Sequence, residues 1–182
     1  MKIMLHSCCG PCTTYSLEHL RQQGHEVKGI FFNPNIHPYT EFRRRLEAFA
    51  GFCAQAGHEA QIVDEYGLRQ FLAAVAGDID ARCAVCYEMR LRRAAQHAVQ
   101  EGCDAFTTTL TISPYQNHDL IRAVGGKVAD DCGIEFKYFD FRQGYRDSIE
   151  MSRRMNLYRQ PYCGCIFSEE ERYLRARPRR KV

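Results

Sequence analysis

The stretch Ser7-Cys8-Cys9-Gly10-Pro11-Cys12 constrains this chain more than any other. It follows a short apolar run at 2–7 and precedes a helical pattern at 11–23 that stops at Gly24. It therefore reads as the first strand-to-helix turn of an α/β protein. In open parallel sheets ligands bind beyond the carboxyl ends of the strands, and the first such turn is the usual phosphate cradle. A phosphate cradle needs glycines and free backbone amides. This turn offers one glycine and three thiols. Its position suits a cofactor, while its chemistry suits something that thiolates bind.

The rest of the chain keeps the same alternation. Apolar runs at 27–32, 59–63, 105–109 and 136–141 read as further strands. Between them lie helical patterns at 40–56, 68–75, 82–100, from the 113–117 loop to 131, and 146–155. Asp80 is placed to cap the helix at 82–100, and Ser168 with Glu171 has the spacing of a capping box for a final helix. The pattern predicts one doubly wound, mostly parallel sheet (Rossmann-like or HUP-like) with helices on both faces and a C-terminal helical segment. With 182 residues, 45% apolar and 26% charged, the chain suits a single domain over 1–182 and excludes disordered, collagen-like and coiled-coil classes. No apolar stretch approaches the roughly 18 residues that cross a bilayer, and the first residues lack a secretory-signal pattern. The expectation is a cytoplasmic monomer with no membrane partner.

The net charge of +3 says little by itself. Arginine outnumbers lysine 20 to 5, however, and 172–182 is a basic tail with six cationic residues. Such a tail suits contact with phosphates or is simply a solvated, frayed terminus.

Ten cysteines would suggest disulfides in a short secreted chain. In this chain metal or redox chemistry is the better expectation. Seven of the ten cluster as Cys8, Cys9 and Cys12, then Cys83 and Cys86, then Cys163 and Cys165; Cys53, Cys103 and Cys132 stand apart and read as buried fillers. Cys9-Gly10-Pro11-Cys12 spells a thioredoxin-type redox motif, although the expected preceding tryptophan is missing and the chain has none. Adjacent Cys8 and Cys9 point to opposite faces of a regular strand and converge only where the backbone turns, as Gly10-Pro11 permits. Cys83 and Cys86 open a helix one turn apart on one face. Cys8, Cys9, Cys83 and Cys86 thus supply the four thiolates of a [4Fe–4S] cluster, with four-thiolate zinc as the equal alternative on spacing alone. Cys163-Gly164-Cys165 reads either as a strained, labile dithiol pair or as two soft ligands for a second metal. Around it lie Arg153, Arg154, Tyr158, Arg159 and Tyr162, the planar and cationic groups that an unstacked RNA base and its backbone need. Tyrosines near a helix end also serve as ordinary half-buried core.

These clusters resemble the QueH family of epoxyqueuosine reductases. The resemblance rests on His6 to Cys12, Phe31-Phe32-Asn33-Pro34-Asn35-Ile36, Cys83 to Tyr87, Thr108 to Tyr115, and Tyr158-Arg159-Gln160-Pro161-Tyr162-Cys163-Gly164-Cys165. It runs from about residue 6 to residue 168 and leaves the basic tail outside. It implies reduction of the epoxide of epoxyqueuosine, at the wobble position of a tRNA anticodon, to queuosine. It also implies a [4Fe–4S] cluster on Cys8, Cys9, Cys83 and Cys86, an adjacent mononuclear iron, and no cobalamin; Cys12, a position not fixed by the resemblance, is the candidate ligand for that iron. Cys163 and Cys165 become the catalytic redox pair, and Tyr115, Tyr158, Arg159 and Tyr162 become substrate-binding residues. Electrons come from an external low-potential donor. His6, His37, His118 and Asp119 near predicted loops read as surface or satisfied groups. A thioredoxin-like dithiol oxidoreductase and a zinc-stabilised RNA-binding module are the competing readings.

Overall fold

The computed structural model describes residues 1–174. Strands β1 (Lys2–His6), β2 (Glu26–Phe31), β3 (Ala60–Ile62), β4 (Ala105–Thr108) and β5 (Glu135–Phe136) form one sheet in the order β3-β2-β1-β4-β5. All pairings are parallel. The helices are α1 (Gly10–Gln22), α2 (Tyr39–Ala56), α3 (Leu68–Val75), α4 (Arg82–Gln100), α5 (His118–Cys132), α6 (Tyr145–Arg154) and α7 (Ile166–Leu174). The expected doubly wound sheet is present, and the C-terminal segment is helical. Most of the basic tail lies outside the described residues.

The period of two along β1 sorts the two cores. Ile3 and Leu5 join Phe31, Phe42, Phe49 and Leu20 on one face, under α1 and α2. Met4 joins Ile30, Phe106, Leu91 and Ile121 on the other, under α4 and α5. Both faces are covered, so the middles of the central strands are largely apolar rather than strictly alternating, with Lys28 of β2 paired to Glu59 and Glu101. Three of the smaller cysteines pack on these cores: Cys103 and Cys132 on one, Cys53 on the other. Each is half-buried rather than the fully buried filler expected.

Chain order reverses at β1, because β2 and β3 extend the sheet on one side and β4 and β5 on the other. The gap above the carboxyl ends of β1 and β4 is the switch point where doubly wound sheets bind ligands. The cysteine turn begins there, one residue beyond His6 and Ser7.

Three local expectations are corrected. The last strand stops at Phe136 instead of reaching Phe141, although β4 continues two residues further to Thr108. The last bond runs from the Lys137 amide to the Phe106 carbonyl at 2.9 Å, and beyond it Phe139 and Phe141 stack on each other at 5.6 Å. Asp78, not Asp80, closes the turn before α4, accepting from the Asp80 and Ala81 amides at 3.0 and 3.2 Å. Ser168 does not cap α7, which begins two residues earlier. Its hydroxyl accepts from the Gly164 amide at 3.0 Å and donates to the Cys165 carbonyl at 2.7 Å, while Glu171 pairs with Arg82 at 2.6 Å. The capping signature is spent on bracing the Cys163–Cys165 loop.

His37 and His58 lie inside the protein, and burial pushes both imidazoles down to about 4. His58 rests against β2 where Gly29 leaves no side chain; a Cβ there would fall 2.5 Å from its Nε2. Between pH 6.5 and about 4 the unfolded chain binds protons on these histidines that the folded chain does not. Stability is therefore fully present above pH 6.5 and is lost as pH falls toward 4. A urea midpoint measured across that range should drop, and His58→Gln should flatten the drop; an equal slope in the variant would remove His58 from this account.

Candidate active site

Cys9 caps α1 from an extended backbone, and its sulfur accepts from the Cys12 amide at 3.3 Å. The next residue must be glycine for steric reasons: a Cβ at Gly10 would meet the Ala48 carbonyl oxygen of α2 at 2.7 Å. With Pro11 starting the helix, the chain turns sharply enough to bring all three thiols together. The Cys8 and Cys9 sulfurs are 3.8 Å apart, and those of Cys8, Cys9 and Cys12 lie within 4.8 Å of one another. Two sulfurs each about 2.3 Å from one tetrahedral ion also lie roughly 3.8 Å apart.

Cys83 and Cys86 stand on the first turns of α4, and Cys163 and Cys165 lead into α7. One cleft of about 740 Å³ is lined by Cys8, Cys12, Cys83, Cys86, Cys163 and Cys165 together. Cys9, 1% exposed, sits behind this lining. All seven clustered cysteines therefore meet at the switch point, each group at the positive end of a helix, where thiolate is favoured. Cys83 and Cys86 are outside the tight three-sulfur group, which among the described residues consists of Cys8, Cys9 and Cys12. Cys163 and Cys165 are both free thiols, the first exposed and the second buried.

Side chains around the cleft donate hydrogen bonds to these sulfurs. Thr109 Oγ1 donates to Cys8 at 3.3 Å, and Gln160 Nε2 to Cys9 at 3.1 Å with Cys12 at 3.6 Å. Asn35 Nδ2 donates to Cys86 at 3.2 Å, and Gln116 Nε2 to Cys163 at 3.2 Å. A neutral thiol is a weak acceptor; a surround of donors is the environment of anionic sulfur, free or ligated. The bonds from Cys12, Cys9 and Thr109 hold the Cys8 thiol well below its ordinary value. Burial pushes Cys9 up and raises Cys86 to about 12 despite Arg90 beside it, so without a bound metal these two stay protonated. A donor set of clustered thiols, with no imidazole or carboxylate in the tight group, fits a thiophilic metal or iron–sulfur centre.

The Cys163–Cys165 loop is held by Arg45, 1% exposed on α2. Its Nη1 donates to the Cys163 carbonyl at 2.7 Å and its Nη2 to the Tyr162 carbonyl at 3.0 Å. Its Nε pairs with Glu41 Oε1 at 2.7 Å, and Tyr158 donates to the other Glu41 oxygen at 2.6 Å.

Of the expected substrate residues, Tyr115 and Tyr162 line the cleft. Tyr115 is 85% exposed at the mouth, edge-on to Tyr145 at 6.2 Å. Tyr162 donates to the His37 carbonyl. Tyr158 and Arg159 are off the lining: Tyr158 braces Glu41, and Arg159 is exposed outside it. His6 is satisfied by Thr108 and the Phe32 carbonyl, and His118 by Tyr138 and the Ser113 carbonyl, as expected, whereas His37 is fully buried with its Nε2 unpartnered rather than at the surface or satisfied. Asn35, Thr109, Gln116 and Gln160 carried no role in the sequence reading; they sit in or beside its motifs, which was the available signal. Arg45 had none.

Fold and site together define a doubly wound α/β protein that gathers thiolates at its switch point. The fold is similar to that of a predicted subunit of tRNA methyltransferase from Methanocaldococcus jannaschii (TM-score 0.55, 10% identity, 84% of this chain and 76% of that one). It is also similar to that of the U34-tRNA thiolase NcsA from Methanococcus maripaludis with its [4Fe–4S] cluster (TM-score 0.50, 16% identity, 96% and 64%).

The sequence profile of the epoxyqueuosine reductase QueH family matches residues 3–171, and the chain belongs to that family. It is 38% identical over 172 residues to the QueH of Dehalococcoides mccartyi, covering 94% of both chains. The Staphylococcus epidermidis protein of that name is 38% identical, with 92% of this chain and 76% of the relative covered. That of Thermotoga maritima is 32% identical, with 93% and 91% covered. The family resemblance read from the motifs is thereby borne out over nearly the whole chain.

Removing the Arg45 cation would strand Glu41 and two carbonyls in the interior. Arg45→Met should cost about 3–5 kcal/mol in denaturant unfolding, with part recovered in the double variant E41Q/R45M. A single variant as stable as the parent would contradict the clamp.

Proposed function

We propose that this chain reduces the epoxide of epoxyqueuosine, in the wobble position of a tRNA anticodon, to queuosine. The observation that carries this reading is the convergence of three separated cysteine groups on one cleft at the switch point of the sheet, in a chain of this family. Cys8, Cys9, Cys83 and Cys86 would hold a [4Fe–4S] cluster, and Cys12, beside Cys8 and Cys9, would serve an adjacent mononuclear iron, with no cobalamin involved. When bound, these groups supply single electrons at low potential and a Lewis acid.

Opening the epoxide to the alkene takes up two electrons and two protons and releases the oxygen as water. Cys163 and Cys165, both on the cleft, can give two electrons and two protons on closing to a disulfide, and an external low-potential donor restores them. Arg45 and Ser168 keep that dithiol loop on the cleft, by its carbonyls and its Gly164 amide respectively. Gln116 donates to the Cys163 sulfur, so it steadies the pair on the cleft side. Tyr115, exposed at the mouth, offers an open ring face for an unstacked base. Tyr162 walls the cleft beneath it. Exposed Arg153, Arg154 and Arg159 precede the dithiol loop and suit backbone phosphates. Among the described residues no helix is long and apolar enough to cross a membrane; a cytoplasmic monomer acting on tRNA accords with that.

The test is an anaerobic assay of the iron- and sulfide-loaded protein on epoxide-bearing tRNA, with dithionite as reductant and nucleoside analysis of the product. Queuosine should form, and Cys163→Ser should keep the cluster absorbance while turnover falls by at least a hundredfold. Loaded protein that leaves the epoxide intact would contradict the reading, and full turnover by C163S would remove the dithiol role.

A further inference from the structure

Arg90, on the third turn of α4, is 3% exposed and has no carboxylate partner among the described residues. Its Nη2 donates to the Cys86 sulfur at 2.6 Å and its Nε to the Cys86 carbonyl at 3.1 Å. A guanidinium stays charged in proteins, and a buried charge with no counter-charge is strongly disfavoured. Arg45, the comparable buried arginine, has Glu41 against it. The charged or ionisable groups near Arg90 are the sulfurs of Cys86, Cys163, Cys8 and Cys83, the Tyr87 phenol and the His6 imidazole, which burial and Arg90 hold neutral. Cys86 also accepts from Asn35, whose own buried Oδ1 has no partner. Both donors converge on one sulfur from different elements, the post-β2 loop and α4.

We propose that Arg90, assisted by Asn35, is the positioning residue that balances the negative charge of the thiolate centre and holds up the reduction potential of a cluster bound there. This inference rests on the iron–sulfur reading above. Reduction adds one negative charge to an already anionic centre, so a fixed cation on a ligand sulfur stabilises the reduced form more than the oxidised one. Hydrogen bonds to the sulfur act in the same direction.

The experiment is a dithionite titration of anaerobically purified holoprotein, followed by visible absorbance and by electron paramagnetic resonance of the reduced state, with iron and sulfide counted per chain. Arg90→Gln should lower the midpoint so that the reduced-to-oxidised ratio at fixed potential falls at least tenfold, which is 59 mV for one electron. Arg90→Lys, which keeps the charge but not the fork, should fall less. Asn35→Ala removes a donor without changing charge and should shift the midpoint a smaller distance in the same direction. It carries the test if R90Q does not fold. Equal midpoints in loaded parent and variants would overturn the role of Arg90. Parent protein that binds no iron would instead defeat the cluster reading, a separate result.

Discussion

Three helices, α1, α4 and α7, open toward the same cleft, and each carries cysteines at that end. The parallel placement of β1 between β2 and β4 brings those ends together. β1 fixes where α1 begins, and the reversal of chain order beside it leaves room for α4 and the C-terminal loop to close over. A sheet wound in one direction only would have put α4 and α1 on successive crevices rather than one. The summed effect of three positive helix ends and several side-chain N–H and O–H donors is an enclosure that favours negative sulfur. Burial works against that field by pushing the Cys9, Cys83 and Cys86 thiols up, so the chemistry proposed depends on a bound metal's charge added to it.

The two fully buried arginines divide the labour of holding this enclosure together. Arg45 works on backbone: it ties the dithiol loop to α2 through two carbonyls and is itself neutralised by Glu41. Arg90 works on sulfur and has no acid beside it. One therefore keeps the loop where it is, and the other adjusts what the centre is worth electrostatically. Asn35, Gln116 and Gln160 extend the same principle with neutral donors.

The alternation of strands and helices was readable because both faces of the sheet are covered, which leaves Val27 to Phe31 apolar except for Lys28, and because Gly24, Gly57 and Gly133 stop helices where their conformation permits. The cysteine groups were readable as clusters because each is local. Their meeting was not visible in spacing alone; it follows from sheet order. The roles of Arg45 and Arg90 were hidden for the opposite reason: an arginine inside a helical pattern reads as a solvated face, and only the loop at 160–165 and the turn at 33–37 bury them. Ser168 shows local chemistry overridden by tertiary demand, since the strongest claim on its hydroxyl came from the loop before it. Phe136 to Phe141 shows a strand pattern that leaves the sheet early, with Phe139 and Phe141 stacked on each other instead of continuing the ladder.

The central claim is that Cys8, Cys9, Cys83 and Cys86 would together hold one iron–sulfur cluster at the cleft. Diffraction from anaerobically grown crystals at the iron absorption edge tests it most directly. The account predicts anomalous density within bonding distance of the sulfurs of Cys8, Cys9, Cys83 and Cys86. Iron found elsewhere, or bound to one cysteine group with the α4 pair unligated, would contradict it.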